Sequence, residues 1–190
     1  APQQDASIWL AAREAEAARL GPGTRGLFFL PYLAGVMNPH WQAGVGGAFL
    51  GLRGDHGPAH LYRAVLEGLA FETRSQLSAL AAGKPARELV AVGGAMQRPL
   101  ASQIFADVLG RPIARVRAAE TSALGAAALA AAGVDWYESA REAARAFGAR
   151  AETIEPGPDS VAYERIFTEV ATGLFDAISG PLRALAGRPA

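Results

Sequence analysis

The sequence predicts an α/β protein, and three observations predict it. Between Glu88 and Gly133, apolar runs of strand length alternate with helical periods in the order strand, helix, strand, helix. That order implies parallel pairing, with helices packed on the sheet. The first run, "ELVAVGG", ends in Gly93–Gly94, and a helix starts just beyond. A strand, a glycine turn and a helix start can hold a nucleotide, and the same arrangement can simply turn a corner. Third, 51% of the 190 residues are apolar, enough to bury a core. The longest near-apolar run, Ala123 to Val134, falls short of the ~20 residues that cross a bilayer.

Each element follows from local signals. Ser7 to Leu20 reads as an amphipathic helix with Ile8, Trp9, Ala12 and Leu20 as its apolar residues, stopped by the glycines and proline of Gly21 to Gly23. "GLFFLPYL" is a strand that ends at Pro31. An irregular stretch rich in turn residues follows, "AGVMNPHWQAGVGG", and then a short strand from Ala48 to Leu52. The loop "RGDHGPAH" leads into a helix from Pro58 to about Ala82, with Leu61, Val65, Leu69 and Leu80 on its expected core face. Leu100, Ile104, Phe105, Val108 and Leu109 mark the next helix, and "PIARV" is the next strand. "TSALGAAALAAAG" is a helix with Gly133 past its end, and "ESAREAARAF" is another. "IEPGPD" reads as a linker, and Ser160 to Ser179 as a final helix broken by Gly180 and Pro181.

Composition excludes several functions. Eighteen basic residues balance eighteen acidic ones, which leaves no basic excess for nucleic acid. There is no cysteine, hence no disulfide and no thiolate metal site. His40, His56 and His60 are the three histidines, too few for a metal cage, so no metal ligand is expected. His56 and His60 flank a helix start and are expected to make loop hydrogen bonds. Asp107 and Glu120 are expected to be solvated or helix-capping carboxylates. Trp41 is expected to anchor the long loop rather than line a cleft. "APQQDASIWL" has neither an initiator Met nor the plan of a signal peptide. The reading is a piece of a longer, cytoplasmic protein without a membrane partner.

Four segments together carry a resemblance. They are "LFFLPYLAGVMNPHW", "GGAFLGLRGDHGPAHLYRAVLEGLAFE", "ELVAVGGAMQRPLASQIFADVLGRPI" and "ETSALGAAALAAAGV". In this order and spacing, the chain resembles the C-terminal half of the FGGY family of ATP-dependent carbohydrate kinases, nearest to the xylulokinase-like branch. The resemblance is good from about Gly26 to Tyr137. It implies an actin-like, ribonuclease-H-like fold, of which this chain is the later part of the C-terminal domain. Residues 1–25 would be a leading helix and linker, 26–150 the core and 151–190 a C-terminal helical tail.

The implied reaction moves the γ-phosphoryl of ATP to a sugar or polyol hydroxyl, with Mg²⁺ on the phosphates. The first phosphate loop and the catalytic base belong to the family's N-terminal domain, the implied partner. This chain therefore carries no catalytic residue and is expected to be inactive alone. A homodimer is a candidate assembly. By the resemblance, Gly93 and Gly94 form the adenosine loop, where the backbone lies against the nucleoside. The family has Ser or Asn at the position of Arg98, and that residue bonds the adenosine. Arginine here could stack on the base, swing out to solvent or plug the pocket. The small residues Gly125 and Ala126 are expected where two helices pass closely, a crossing that lies at the interdomain hinge of actin-like folds. The family often has Glu-Arg where Val36 and Met37 stand, and Arg at Gly46. This loss of charge leaves a second reading open, a degenerate lobe kept as a binding or regulatory module.

Overall fold

A computed structural model describes residues 2–81, 84, 86–116, 120–147 and 151–187. Helix α1 (Pro2–Ala17) leads into a hairpin of β1 (Phe28–Leu30) and β2 (Ala48–Leu50), paired antiparallel. The long helix α2 (Pro58–Ala81) follows, then β3 (Val90–Ala91), α3 (Pro99–Leu109) and β4 (Ile113–Val116). Helices α4 (Thr121–Gly133) and α5 (Ala140–Ala146) form a pair. Strand β5 (Ala151–Ile154) precedes α6 (Ser160–Ile166), a π-helical turn at Phe167–Ala171 and α7 (Thr172–Leu185).

The expected parallel unit is present. β3 and β4 pair in parallel, and α3 connects them. α3 forms where its period lies: Pro99 starts it, Ile104 and Val108 are buried, and Gly110 ends it in the left-handed conformation at φ 62°. Residues 151–154 depart from the expected helical tail and linker. They form β5, which pairs antiparallel with β4 and completes a three-stranded sheet. α7 also departs from expectation, since it runs through Gly180 and Pro181. Ile178 and Leu182 lie on either side of them and pack against the cluster of Leu30, Tyr32, Val36, Val45 and Phe175. That packing outweighs the ~3 kcal/mol that an interior proline costs a helix.

Two helical faces lie elsewhere than their apolar residues suggest. In α2 the buried stripe is Ala59, Arg63, Ala64, Leu66, Glu67, Gly68, Ala70 and Phe71, whereas Leu69 and Leu80 are exposed. Two charged residues and a glycine occupy the core face. Gly68 is there because β1 passes directly over it, and a Cβ would overlap the Phe29 carbonyl oxygen. In α1, Ile8 and Trp9 are exposed, and Ala17 is the buried contact.

The main core joins Leu66, Ala70 and Phe71 of α2 to Met96, to Ala101, Ile104 and Val108 of α3, and to Tyr163 of α6. A polar network crosses it. Arg63 and Glu67 are 3% and 2% exposed. The Arg63 guanidinium donates to Glu67 at 2.8 Å, to the Tyr163 hydroxyl at 2.8 Å and to the Ala17 carbonyl at 3.0 Å. Glu67 also accepts from the hydroxyls of Tyr163 and Thr24 and from the Gly23 amide. Burial pushes the Glu67 carboxyl up, and its donors partly draw it back. Burial and the neighbouring Glu67 raise the Tyr163 phenol far above its ordinary value. The network ties α1, α2 and α6 into one body.

Candidate functional site

β3 ends at Ala91, and the chain then turns sharply. Gly93 sits at φ 99° and ψ 164°, a backbone conformation open to glycine and disfavoured for L side chains. Gly94 opens a single 3-10 turn that runs to Gln97. Met96 is buried in the main core and pins the turn from below. The Gln97 amide donates to the Val116 carbonyl at 2.8 Å and fixes its far end to β4. Pro99 then begins α3.

Gly93 and Gly94 are both exposed, and no heavy atom lies within 4 Å of the Cβ that either would carry. The tightness of the turn explains glycine at 93. Crowding by the described residues explains neither glycine. Both line a groove of about 490 Å³, with Leu77, Val92, Phe105 and Leu109 among its other walls. The groove is apolar, and the turn forms one lip.

Arg98 is not a wall of this groove. Its guanidinium reaches α1 and meets Glu14 at 2.6 Å. Tyr62 belongs to the same cluster, where burial and the Glu14 carboxylate raise its phenol and Arg98 lowers it. The Arg98 guanidinium is turned toward α1. It sits in an ion pair with a helix that sequence reasoning did not connect to this turn. The network that holds α1 in place has one signal in the sequence, the i,i+4 spacing of Arg63 and Glu67, which apolar periodicity passes over.

The remaining candidates lie apart from the turn. Gly125 and Ala126 are on α4, both exposed, and nothing lies within 4 Å of a Cβ at Gly125. The expected close crossing is therefore not made at Gly125 by the described residues. α4 packs on α5 instead through Ala128, Ala131 and Ala143. His56 and His60 accept backbone amides of Arg53 and Gly57 at their Nδ1 atoms, as loop hydrogen bonders do. Asp107 is buried, not solvated, and accepts from the Gly157 amide and the Gln103 side chain. Trp41 is 73% exposed, so its ring is not the buried anchor expected of the long loop. Among the described residues, no group of three His, Asp or Glu could hold a metal ion, and no helix is long and apolar enough to cross a membrane.

Comparison with known proteins places this geometry. The description "FGGY family of carbohydrate kinases, C-terminal domain" matches residues 3–134. A glycerol kinase of Gloeobacter violaceus is 42% identical over 129 residues, 66% of this chain and 26% of that protein. A xylulose kinase of Lactococcus lactis subsp. lactis is 33% identical over 156 residues, 80% of this chain and 31% of that protein. The crystal structure of a ligand-bound xylulose kinase from Lactobacillus acidophilus superimposes with a TM-score of 0.75 at 27% identity. That match covers 89% of this chain and 34% of the other. The chain thus spans about a third or less of each relative's length.

Proposed function

Since the chain belongs to the FGGY family of carbohydrate kinases, matched through its C-terminal domain, and has the corresponding part of their actin-like fold, we propose that it is the nucleotide-side portion of an ATP-dependent kinase. The substrate is a sugar or polyol, and the γ-phosphoryl of ATP goes to one of its hydroxyls. The observation that carries the reading is the Gly93–Gly94 turn, two exposed glycines with no described atom within 4 Å of the Cβ either would carry. Such a turn lets a flat ligand lie against the backbone, and the apolar groove beside it suits an adenine ring. Gly93 and Gly94 would hold the adenosine, with Arg98 kept aside by Glu14.

The remainder of the reaction falls to the N-terminal domain, the proposed partner. Mg²⁺ would ride on the phosphates held there. Gly125 and Ala126, bare in this chain, would pack against the rest of the polypeptide at the hinge. The whole kinase would act in the cytoplasm, where ATP and free sugars meet.

The test is a coupled ADP-release assay over glycerol, xylulose and a panel of other ketoses and polyols. The complete polypeptide is expected to turn over one of them, and this chain alone none. In-line phosphoryl transfer needs both lobes to hold the reactants. Turnover by the isolated chain would refute the assignment of roles. A second reading, a degenerate lobe kept for binding, draws on one observation: the guanidinium at position 98 is committed to Glu14 and not to the turn. It predicts ADP binding by the complete polypeptide with no turnover on any member of the panel.

A further inference from the structure

A separate cavity of about 270 Å³ lies between β1, α2 and the segment that joins α6 to α7. Its walls are aromatic: Phe28, Tyr32, His40, Phe71, Phe167 and Phe175. The rings are fixed against one another. Phe28 stacks on Phe71 with centroids 5.4 Å apart, Tyr32 meets the edge relation with Phe175 at 5.6 Å, and His40 lies over Phe175 at 3.7 Å.

Among the described residues one acid lines this cavity, Glu72, with His40 and no lysine or arginine. Glu72 is half-buried and accepts from the Tyr32 hydroxyl at 3.0 Å and the Gln76 amide at 3.0 Å. Both donors are neutral. Three other acids on the packed helices have cations, Glu67 with Arg63, Glu14 with Arg98 and Glu164 with Arg74, and the buried Asp107 has neutral donors but does not line this cavity. No ion pair among the described residues serves Glu72. Burial and the Glu72 carboxylate hold the Tyr32 phenol protonated, so Tyr32 is the donor in that bond.

The chemistry of these walls selects the ligand. Aromatic faces carry negative potential and attract cations. A carboxylate with only neutral partners adds a full negative charge in a sheltered place. An anion would be repelled. A bare divalent ion needs six or more oxygen ligands, or an octahedral set, and one carboxylate falls short. We propose that this cavity receives an organic cation, a guanidinium or alkylammonium group, which lies against the rings with its N–H groups on Glu72. The volume suits a group of a few heavy atoms and excludes a nucleotide. Two sources share this chemistry: a free small amine or guanidine, and an arginine or lysine side chain from the rest of the kinase polypeptide.

The test is calorimetric titration of this chain with N-ethylguanidinium, set against the neutral isostere ethylurea. Saturable binding of the cation alone is expected, and it should weaken with added salt. Glu72→Gln should weaken it at least tenfold, and Phe28→Leu should weaken it less. Glu138→Gln, an exposed control, should leave it unchanged. No binding of the cation, equal binding of ethylurea or equal binding by Glu72→Gln would overturn the proposal. Should Glu72→Gln fail to fold by circular dichroism, the ethylurea comparison and Phe28→Leu decide. The complete polypeptide separates the sources. Equal affinity there identifies a free ligand. Loss of probe binding, together with a lower Tm of the complete polypeptide on Glu72→Gln, identifies a side chain from the polypeptide itself. Loss of probe binding with an unchanged Tm overturns the proposal.

Discussion

Helices α2 and α4 have opposite surroundings, and their compositions would have suggested the reverse. α2 carries Arg63 and Glu67, yet both are buried, held by Ala17 of α1, the Gly23–Thr24 turn and Tyr163 of α6. α4 has no charged residue and is apolar almost all round, yet Leu129 is 68% exposed. A helix that is hydrophobic on every face is normally buried on every face. The difference shows that burial depends on the partners a chain supplies as much as on the residues themselves. α2 finds its partners within these 190 residues. Among the described residues, α4 finds α5 and leaves Leu129 exposed.

The contrast can be broken most severely at the buried network. Glu67→Ala leaves the Arg63 guanidinium in the core with only the half-exposed Asp159, 4.0 Å away, as a counter-charge, and loss of one partner of a buried pair costs about 3–5 kcal/mol. Denaturant melts of this chain should show that loss. A change below about 1 kcal/mol would mean that the pair is hydrated in solution. Gly68→Ala comes next. Its Cβ would meet the Phe29 carbonyl, and overpacking of this kind costs about 1–3 kcal/mol. An unchanged melting curve would show that β1 does not press on α2.

The same core should fail at high pH. Tyr163 has its phenol raised by burial and then by Glu67, so the folded chain holds that proton more tightly than the unfolded chain. Its contribution is fully present below the ordinary phenol value of 10.0 and is lost as the pH climbs beyond it. Thermal melts at stepped alkaline pH should fall above that value, with tyrosinate absorbance appearing together with unfolding. Tyr163→Phe should flatten the decline. Tyrosinate absorbance from every tyrosine at pH 10 in a folded chain would contradict this.

The smallest effect belongs to α4. Gly125→Leu meets no atom within 4 Å, and leucine favours helix over glycine by somewhat under 1 kcal/mol. This chain should therefore be unchanged or slightly stabilised. In the complete polypeptide the same change should destabilise, because the rest of the protein is proposed to cover that face. Destabilisation of this chain alone by more than about 1 kcal/mol would place a partner for α4 within it.

How much of this was legible in the sequence follows the same division. The β3–α3–β4 unit was legible because glycine and proline punctuate it and its helix has a clean period. The turn at Gly93 was legible for the same reason. The core face of α2 was not, because the residues buried there include an arginine, a glutamate and a glycine, and a search for apolar periodicity passes over all three. The length of α4 was legible from its alanines, but alanine on every side gives no direction to a face. β5 is four residues of weak alternation, specified by its pairing with β4 and not by its own composition. The continuation of α7 through Pro181 depends on packing against the cluster that holds Leu30 and Tyr32, which lie over a hundred residues away in sequence. The place of Arg98 depended on Glu14, 84 residues distant.

The central functional claim is that the Gly93–Gly94 turn faces the nucleotide. Gly94 offers a clean probe of it. Its Cβ would meet nothing within 4 Å, and its φ lies outside the range that disfavours side chains. Gly94→Leu should therefore leave the fold intact while filling the place proposed for the adenosine. The measurement is calorimetric titration of ADP into the complete polypeptide and its Gly94→Leu form, with Tm recorded for both. The expected result is an affinity at least about tenfold weaker, roughly 1.4 kcal/mol, at an unchanged Tm. Equal ADP affinity in the two forms would contradict the account and move the nucleotide away from this turn.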